Sequence, residues 1–194
     1  MRGYNLLHAI VFMPTRRKGD EATSEDAADN AQKIDSDKQN ARIEIYEEFV
    51  ELYPEIKTHK HRRILLRSSI AAHHAGHIPA WKLFVEKLMS QGLLNAIFAT
   101  STVAAGVDFP ARTVVLSQAD ARGNDGWRPL QASELQQMTG RAGRRGKDNV
   151  GFVVLAPSHF QNPPRLATLL KSPPDALASK FSATNTSLLN LLDP

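Results

Sequence analysis

The chain alternates short, wholly apolar runs with longer segments whose apolar residues recur every three or four positions. "LHAIVFM" (7–13), "IAAHH" (70–74), "NAIFAT" (95–100), "RTVVLS" (112–117) and "VGFVVLA" (150–156) are compact apolar runs and read as buried strands. Between them, "ARIEIYEEFVELYPEI" puts Ile45, Phe49 and Leu52 at helical spacing and ends at Pro54. "HKHRRILLRSSI" predicts a second helix with a basic face. "PAWKLFVEKLMSQG" predicts a third, with Pro79 in its first turn, Gly92 past its end, and Leu83, Val85, Leu88 and Met89 as apolar anchors. A fourth helix is expected from Ser133, whose side chain would cap the first turn while Gln136 reaches back. Strands apolar on both faces, alternating with helices, predict an α/β fold: a parallel sheet sandwiched between helices.

Some segments fall outside this rhythm. Residues 19–37 are polar, rich in Ala, Asp and Ser, and lack apolar periodicity, so a mobile, partly helical acidic insertion is expected there. "QADARGNDGWRPL" reads as a glycine-containing loop. After Pro157 two Pro-Pro pairs appear, and "SLLNLL" lies near the end. Residues 1–160 are therefore expected to form one domain, and 161–194 a linker with the helical start of a following one.

Composition narrows the classes. A chain of 194 residues that is 42% hydrophobic can bury a proper core. It has no cysteine, which excludes disulfides and thiolate metal sites and fits a reducing, cytoplasmic setting. No apolar run approaches the ~18–20 residues that span a bilayer, so no membrane partner is expected. The net charge is only +4, but eleven of the twenty acidic residues lie between Asp20 and Glu51. The remainder is clearly basic, as a surface for phosphate-bearing partners would be.

The chemistry concentrates in "QMTGRAGRRG" (137–146), where Gly140, Gly143 and Gly146 alternate with Arg141, Arg144 and Arg145. On a helix begun at Ser133, Gln137, Arg141 and Arg144 fall at i, i+4 and i+7 and share one side. Arginine suits bidentate phosphate recognition, and the glycines allow close approach. A phosphate-cradling P-loop is absent: Gly146-Lys147 follows Arg141 instead of the required glycine and precedes Asp148 instead of Ser or Thr. The arginines therefore read as fingers reaching toward a nucleotide held elsewhere. His73, His74 and His77 in "HHAGH" invite a metal reading, but no matching carboxylate stands at a suitable spacing, and no metal is expected. Trp81 is expected to pack in a helix, with stacking on bases the lesser option.

"FMPTRRKGDEA", "AAHHAGHIP", "FATSTVAAGVDFPARTVV" and "QMTGRAGRRG" stand in the order of motifs IV, IVa, V and VI. Over roughly residues 5–160 the chain resembles the second, C-terminal RecA-like domain of superfamily 2 DEAD/DEAH-box helicases, and within them the Ski-type RNA helicases. The resemblance implies that Arg141 and Arg144 are fingers on an ATP γ-phosphate and that Gln137 helps place it or the attacking water. It implies that Gly106 and Asp108 approach the nucleotide. Thr100 and Thr102 would hydrogen-bond phosphates of a single strand, with Arg16, Arg17 and His74 beside it. ATP and Mg²⁺ would be held mainly by an N-terminal RecA-like domain of the same protein, and this chain alone is expected to be inactive. The implied role is the second motor half of an ATP-dependent helicase, RNA favoured over DNA. A DNA repair helicase or translocase, or a non-catalytic nucleic-acid-binding module that keeps the fold, remain as alternatives.

Overall fold

The computed structural model of the chain describes residues 6–29, 35–101, 110–123 and 126–175. Five strands form one parallel sheet: β1 (Ala9–Phe12), β2 (Ile70–His73), β3 (Ala96–Ala99), β4 (Thr113–Leu116) and β7 (Phe152–Leu155), in the order β2-β3-β1-β4-β7. Register is in phase throughout, so Ala9, Ala96, Thr113 and Phe152 mark the amino edge and Phe12, Ala99, Leu116 and Leu155 the carboxyl edge. All five strands read from hydrophobicity are present. The chain has the RecA-like α/β architecture, a parallel sheet flanked by helices.

Six α-helices are described: α1 (Arg16–Asp29), α2 (Ser36–Leu52), α3 (Arg62–Ser68), α4 (Pro79–Ser90), α5 (Ala132–Thr139) and α6 (Pro163–Lys171). The core joins Ile10, Phe12, Ile97, Val114 and Leu116 of the sheet to Leu65 of α3 and to Trp81, Phe84 and Leu88 of α4. On α4 the buried side is Trp81, Phe84, Val85 and Leu88, spaced i, i+3, i+4 and i+7, so Leu83 turns outward and is 48% exposed. Trp81 is fully buried, as packing demanded, and donates its indole N–H to Ala72 O at 3.3 Å.

The acidic insertion expected over 19–37 is not a loose segment where it is described. Residues 16–29 form α1, with Thr23 fully buried and its hydroxyl donating to Gly19 O at 2.8 Å. Gly19 is buried against the sheet, and a Cβ there would make ordinary contact, 3.9 Å from Phe98 O of β3 and 4.0 Å from the His74 ring. Small residues, not an apolar stripe, let α1 approach the sheet, and periodicity of large side chains could not reveal that.

α2 is held by an unusual pin. Arg42 is fully buried, and its guanidinium donates to Leu66 O through Nε and Nη2 (3.3 and 3.1 Å) and to Leu93 O through Nη1 (3.1 Å). The segment read as a glycine loop is an antiparallel hairpin, β5 (Asp120–Gly123) with β6 (Gly126–Pro129). β7, expected to be covered on both faces, is the sheet's edge strand, and Phe152 and Val153 are 37% and 40% exposed.

Candidate nucleotide and nucleic-acid interface

The Gly-Arg segment is built differently from the continuous helix expected. α5 is capped by Gln131 with Glu134, two residues earlier than the Ser133–Gln136 pair. It ends at Thr139, with Gly140 as C-cap. Gln137 therefore lies in the last turn, exposed, while Arg141 and Arg144 follow outside the helix, and the shared helical side does not exist. The backbone bends instead at Gly143, where φ is +92°.

This bend is stitched to the sheet's amino edge. Ala111 N–H donates to Arg141 O (2.9 Å), and Gly143 N–H donates to Ala111 O (2.7 Å), a lone parallel bridge just ahead of β4. Gly151 lets the two backbones touch: a Cβ there would fall 2.5 Å from the carbonyl carbon and oxygen of Ala142.

Arg144 is held from one side. Its Nε and Nη2 donate to the two Asp148 carboxylate oxygens at 2.8 and 3.0 Å, and its backbone N–H donates to Asp148 Oδ2 at 3.0 Å. Arg112 Nη1 adds a fourth donor at 3.1 Å, and the Asp148 side chain is 1% exposed. The hydrogen bonds from Arg144 hold the Asp148 carboxyl far below the usual carboxylate range, and in return that pairing raises the Arg144 guanidinium. Nη1 of Arg144 makes no hydrogen bond among the described residues. The carboxylate thus orients the guanidinium along its Nε–Nη2 edge and leaves its other edge for an incoming oxyanion. Asp148 escaped the sequence reading, which noted it only as a mismatch to a P-loop.

The sheet's carboxyl edge collects the other candidates. Thr100 directly follows β3. Arg16 and Arg17 open α1, both exposed, and Thr15 Oγ1 accepts the Lys18 N–H at 3.2 Å to cap that turn. Arg16 lies over Gly76, whose added Cβ would be 3.4 Å from the Arg16 Cδ. Thr102, Gly106 and Asp108 lie outside the described residues. The chain leaves the carboxyl edge at Thr100 and rejoins the sheet from its amino edge at Ala111.

His74 does not belong to that exposed surface. It is 3% exposed, its Nε2 stands 3.1 Å from Asp20 Oδ1, and its Nδ1 accepts the Gly76 N–H at 3.1 Å. The sequence placed it beside a bound strand, but the approach of α1 covers it. His77 and His61 are also buried and point at the same oxygen, each 3.6 Å away through Nε2 and Nδ1. Lys60 Nζ takes the other Asp20 oxygen at 2.6 Å. Burial would raise the Asp20 carboxyl, yet the hydrogen bonds from Lys60 and His74 hold it below its ordinary value. Burial, with the neighbouring cationic groups, pushes His77 down to about 3 and His59 to about 4, so these imidazoles are neutral near pH 7. The carboxylate that the local sequence lacked comes from α1, 54 residues before His74.

The chain matches no family model. It is 39% identical over 193 residues, 99% of its length, to the DExH-box ATP-dependent RNA helicase DExH15, chloroplastic, of Arabidopsis thaliana. It is 42% identical over 128 residues, 66% of its length, to the exosome RNA helicase MTR4 of Mus musculus. It is 40% identical over 133 residues, 67% of its length, to the antiviral helicase SKI2 of Saccharomyces cerevisiae. The chain spans 16%, 12% and 10% of these three proteins. With homologues at about 40% identity over most of its length, and with a five-stranded parallel sheet of RecA type, the chain belongs to the Ski2/MTR4-type DExH helicases, among which it is the C-terminal RecA-like domain.

Proposed function

We propose that this chain is the second motor domain of an ATP-dependent helicase acting on RNA. ATP and Mg²⁺ are held by a first RecA-like domain of the same protein, and this domain closes over them. The single observation that carries the reading is the pre-set guanidinium of Arg144, fixed by the 1%-exposed Asp148 with one edge left over, on a bend that also presents Arg141. A fixed cation stabilises charge that develops on a transferring γ-phosphoryl group without having to reorganise at the moment of reaction. Gln137, one turn before, suits a role in orienting the phosphate or the attacking water. Gly106 and Asp108 contribute to the nucleotide side. Thr100 and Arg16, at the carboxyl edge, grip strand phosphates together with Thr102, since hydroxyls and a helix amino end suit an anionic backbone without reading its sequence. RNA is favoured because DExH15 and MTR4, at 39% and 42% identity, are named RNA helicases.

The test uses the intact protein. Arg141→Ala and Arg144→Ala should each lower RNA-stimulated turnover by at least about a hundredfold, with ATP affinity changed only a few-fold, because the arginines act on the transition state. Lys at either position should not restore turnover, since a point charge lacks the planar fork. Near-normal turnover in both alanine variants would refute the assignment.

A further inference from the structure

We propose that Asp20, His74 and His77 form a three-ligand binding site for a zinc-class divalent cation, the fourth position of the ion being left to water. The site does not depend on the helicase reading. It rests on convergence. His74 Nε2 and His77 Nε2 lie 3.1 and 3.6 Å from one oxygen, Asp20 Oδ1. Ligand atoms of Asp20, His74 and His77 all fall within 4.8 Å of one another. A tetrahedral ion with bonds of about 2.0–2.1 Å has ligand–ligand edges of about 3.3–3.4 Å. The two separations to Asp20 bracket that edge.

A second observation points the same way. His61 Nδ1 and His77 Nε2 are buried and have no hydrogen-bond partner among the described residues. Their side chains are 6% and 2% exposed, so water does not satisfy them from outside. Both face the Asp20 carboxylate at a distance too long for a hydrogen bond. A buried polar nitrogen left unmatched is costly, and that of His77, aimed at the carboxylate that also faces His74, is accounted for by an ion between them.

Supporting contacts are in place around the donors. His59 Nε2 lies 3.0 Å from His77 Nδ1 and fixes that ring with Nε2 turned to the cluster. Lys60 anchors the Asp20 oxygen that does not face the histidines, leaving Oδ1 for the metal. Imidazole and carboxylate donors without thiolate suit Zn²⁺, and Co²⁺ can take its place as a coloured probe. Two bonds must change on loading. The His74 Nε2–H now faces Asp20 Oδ1 at 3.1 Å, and the ion replaces that hydrogen bond. His74 Nδ1 now accepts the Gly76 N–H, and a ring that ligates through Nε2 carries its proton on Nδ1. The Gly76 amide must then turn away, which supplies a local signature. The ion would staple α1, through Asp20, to the turn before α4.

The experiment takes the full 194-residue chain, stripped with chelator, and titrates it with Zn²⁺ by calorimetry and with Co²⁺ by visible absorption. One equivalent should bind, with the intense d–d bands of tetrahedral cobalt and a selective shift of the Gly76 amide resonance. At a hundredfold excess over Kd, Zn²⁺ should raise Tm by roughly 5–10 °C. His77→Leu, which replaces an unsatisfied buried ring by an apolar side chain, should weaken binding at least about a hundredfold while keeping the far-ultraviolet circular dichroism of the parent. His74→Asn is the second variant, read in the same way, and His159→Ala, at an exposed histidine, should bind as the parent does. No saturable binding to the folded parent, or equal affinity in the parent and in the folded His77→Leu and His74→Asn variants, would overturn the proposal.

Discussion

Gly151→Ala should detach the Gly-Arg bend from the sheet. The new Cβ would stand 2.5 Å from the carbonyl carbon and oxygen of Ala142 and 2.6 Å from Gly143 N, all backbone atoms. Ordinary contact needs about 3.4–3.5 Å, so bend and strand must part by roughly 0.9 Å. The hydrogen bonds Ala111 N–Arg141 O and Gly143 N–Ala111 O, now 2.9 and 2.7 Å, tie the same bend to Ala111 and would be strained as it shifts. Overpacking strain of about 1–3 kcal/mol, with up to about 1 kcal/mol for each hydrogen bond so weakened, predicts a loss of roughly 1–5 kcal/mol. Urea unfolding of the chain reads this directly. In the intact protein the same displacement carries Arg141 and Arg144 off by nearly 1 Å, enough for about a hundredfold fall in turnover. Gly146→Ala is the control. Its φ is +74° but nothing lies within 4 Å of an added Cβ, so only the left-handed backbone is penalised, by about 1 kcal/mol. A Gly151→Ala chain that loses no more stability than Gly146→Ala and keeps its turnover would refute the close-contact argument.

Arg42→Met should cost roughly 2–3 kcal/mol in urea unfolding, because Leu66 O and Leu93 O lose their donors in a buried place. Arg42→Lys should recover little of it, since one ammonium cannot span both carbonyls. His8 carries a pH-dependent share of stability: burial, with Arg144, Lys38 and Lys147 outweighing Asp148, lowers it from about 6.5 to about 4. The unfolded state then binds more protons between those values, so stability falls as pH drops from about 6.5 to about 4. His8→Asn, which tolerates the φ of +68°, should remove roughly 1–2 kcal/mol of that slope after allowance for the partial exposure of His8. Equal slopes in parent and variant would show that His8 titrates normally.

Strands were readable because a buried parallel sheet leaves an unambiguous mark: four or five apolar residues in a row, set between helical patterns. Val114, Val115 and Leu116 could belong to little else. α4 was readable from its caps and helical spacing, though a count of apolar positions could not choose Phe84 over Leu83 as the inward residue. What escaped was set by contacts between distant segments. Arg42 looks like one more solvated charge of a polar helix until Leu66 O and Leu93 O are brought to it. α1 hides its packing in Gly19 and Thr23, residues that periodicity does not weigh. Asp148 is four residues from Arg144, and only the turn that brings the Lys147 and Asp148 N–H groups onto Arg144 O makes that spacing a pair. The helical side assumed for Gln137, Arg141 and Arg144 failed at Gly140, where a glycine read as relief of bulk proved to be the end of the helix.

The topology bears on how such a domain could link its two proposed tasks. The Gly-Arg bend is bonded to Ala111 at the amino edge of β4, whereas Thr100 and the start of α1 stand at the carboxyl edge. A four-residue strand is about 13 Å long, so the two groups are separated by the length of the strands. The strands between them are paired in strict register and filled with Ile10, Ile97, Val114 and Leu116, a packed layer that does not deform by degrees. A pull on Arg141 or Arg144 at one edge is therefore transmitted to the other as movement of the whole domain. The alternative route is the connection from Thr100 to Ala111, which joins the two edges covalently and contains Gly106 and Asp108. On the proposed reading these routes make different demands. Rigid transmission needs the bridge of Ala111 to Arg141 and Gly143 intact, and Gly151→Ala would uncouple ATP turnover from strand binding. Transmission through the connection needs only its ends, and the same substitution would slow turnover while leaving RNA stimulation in proportion.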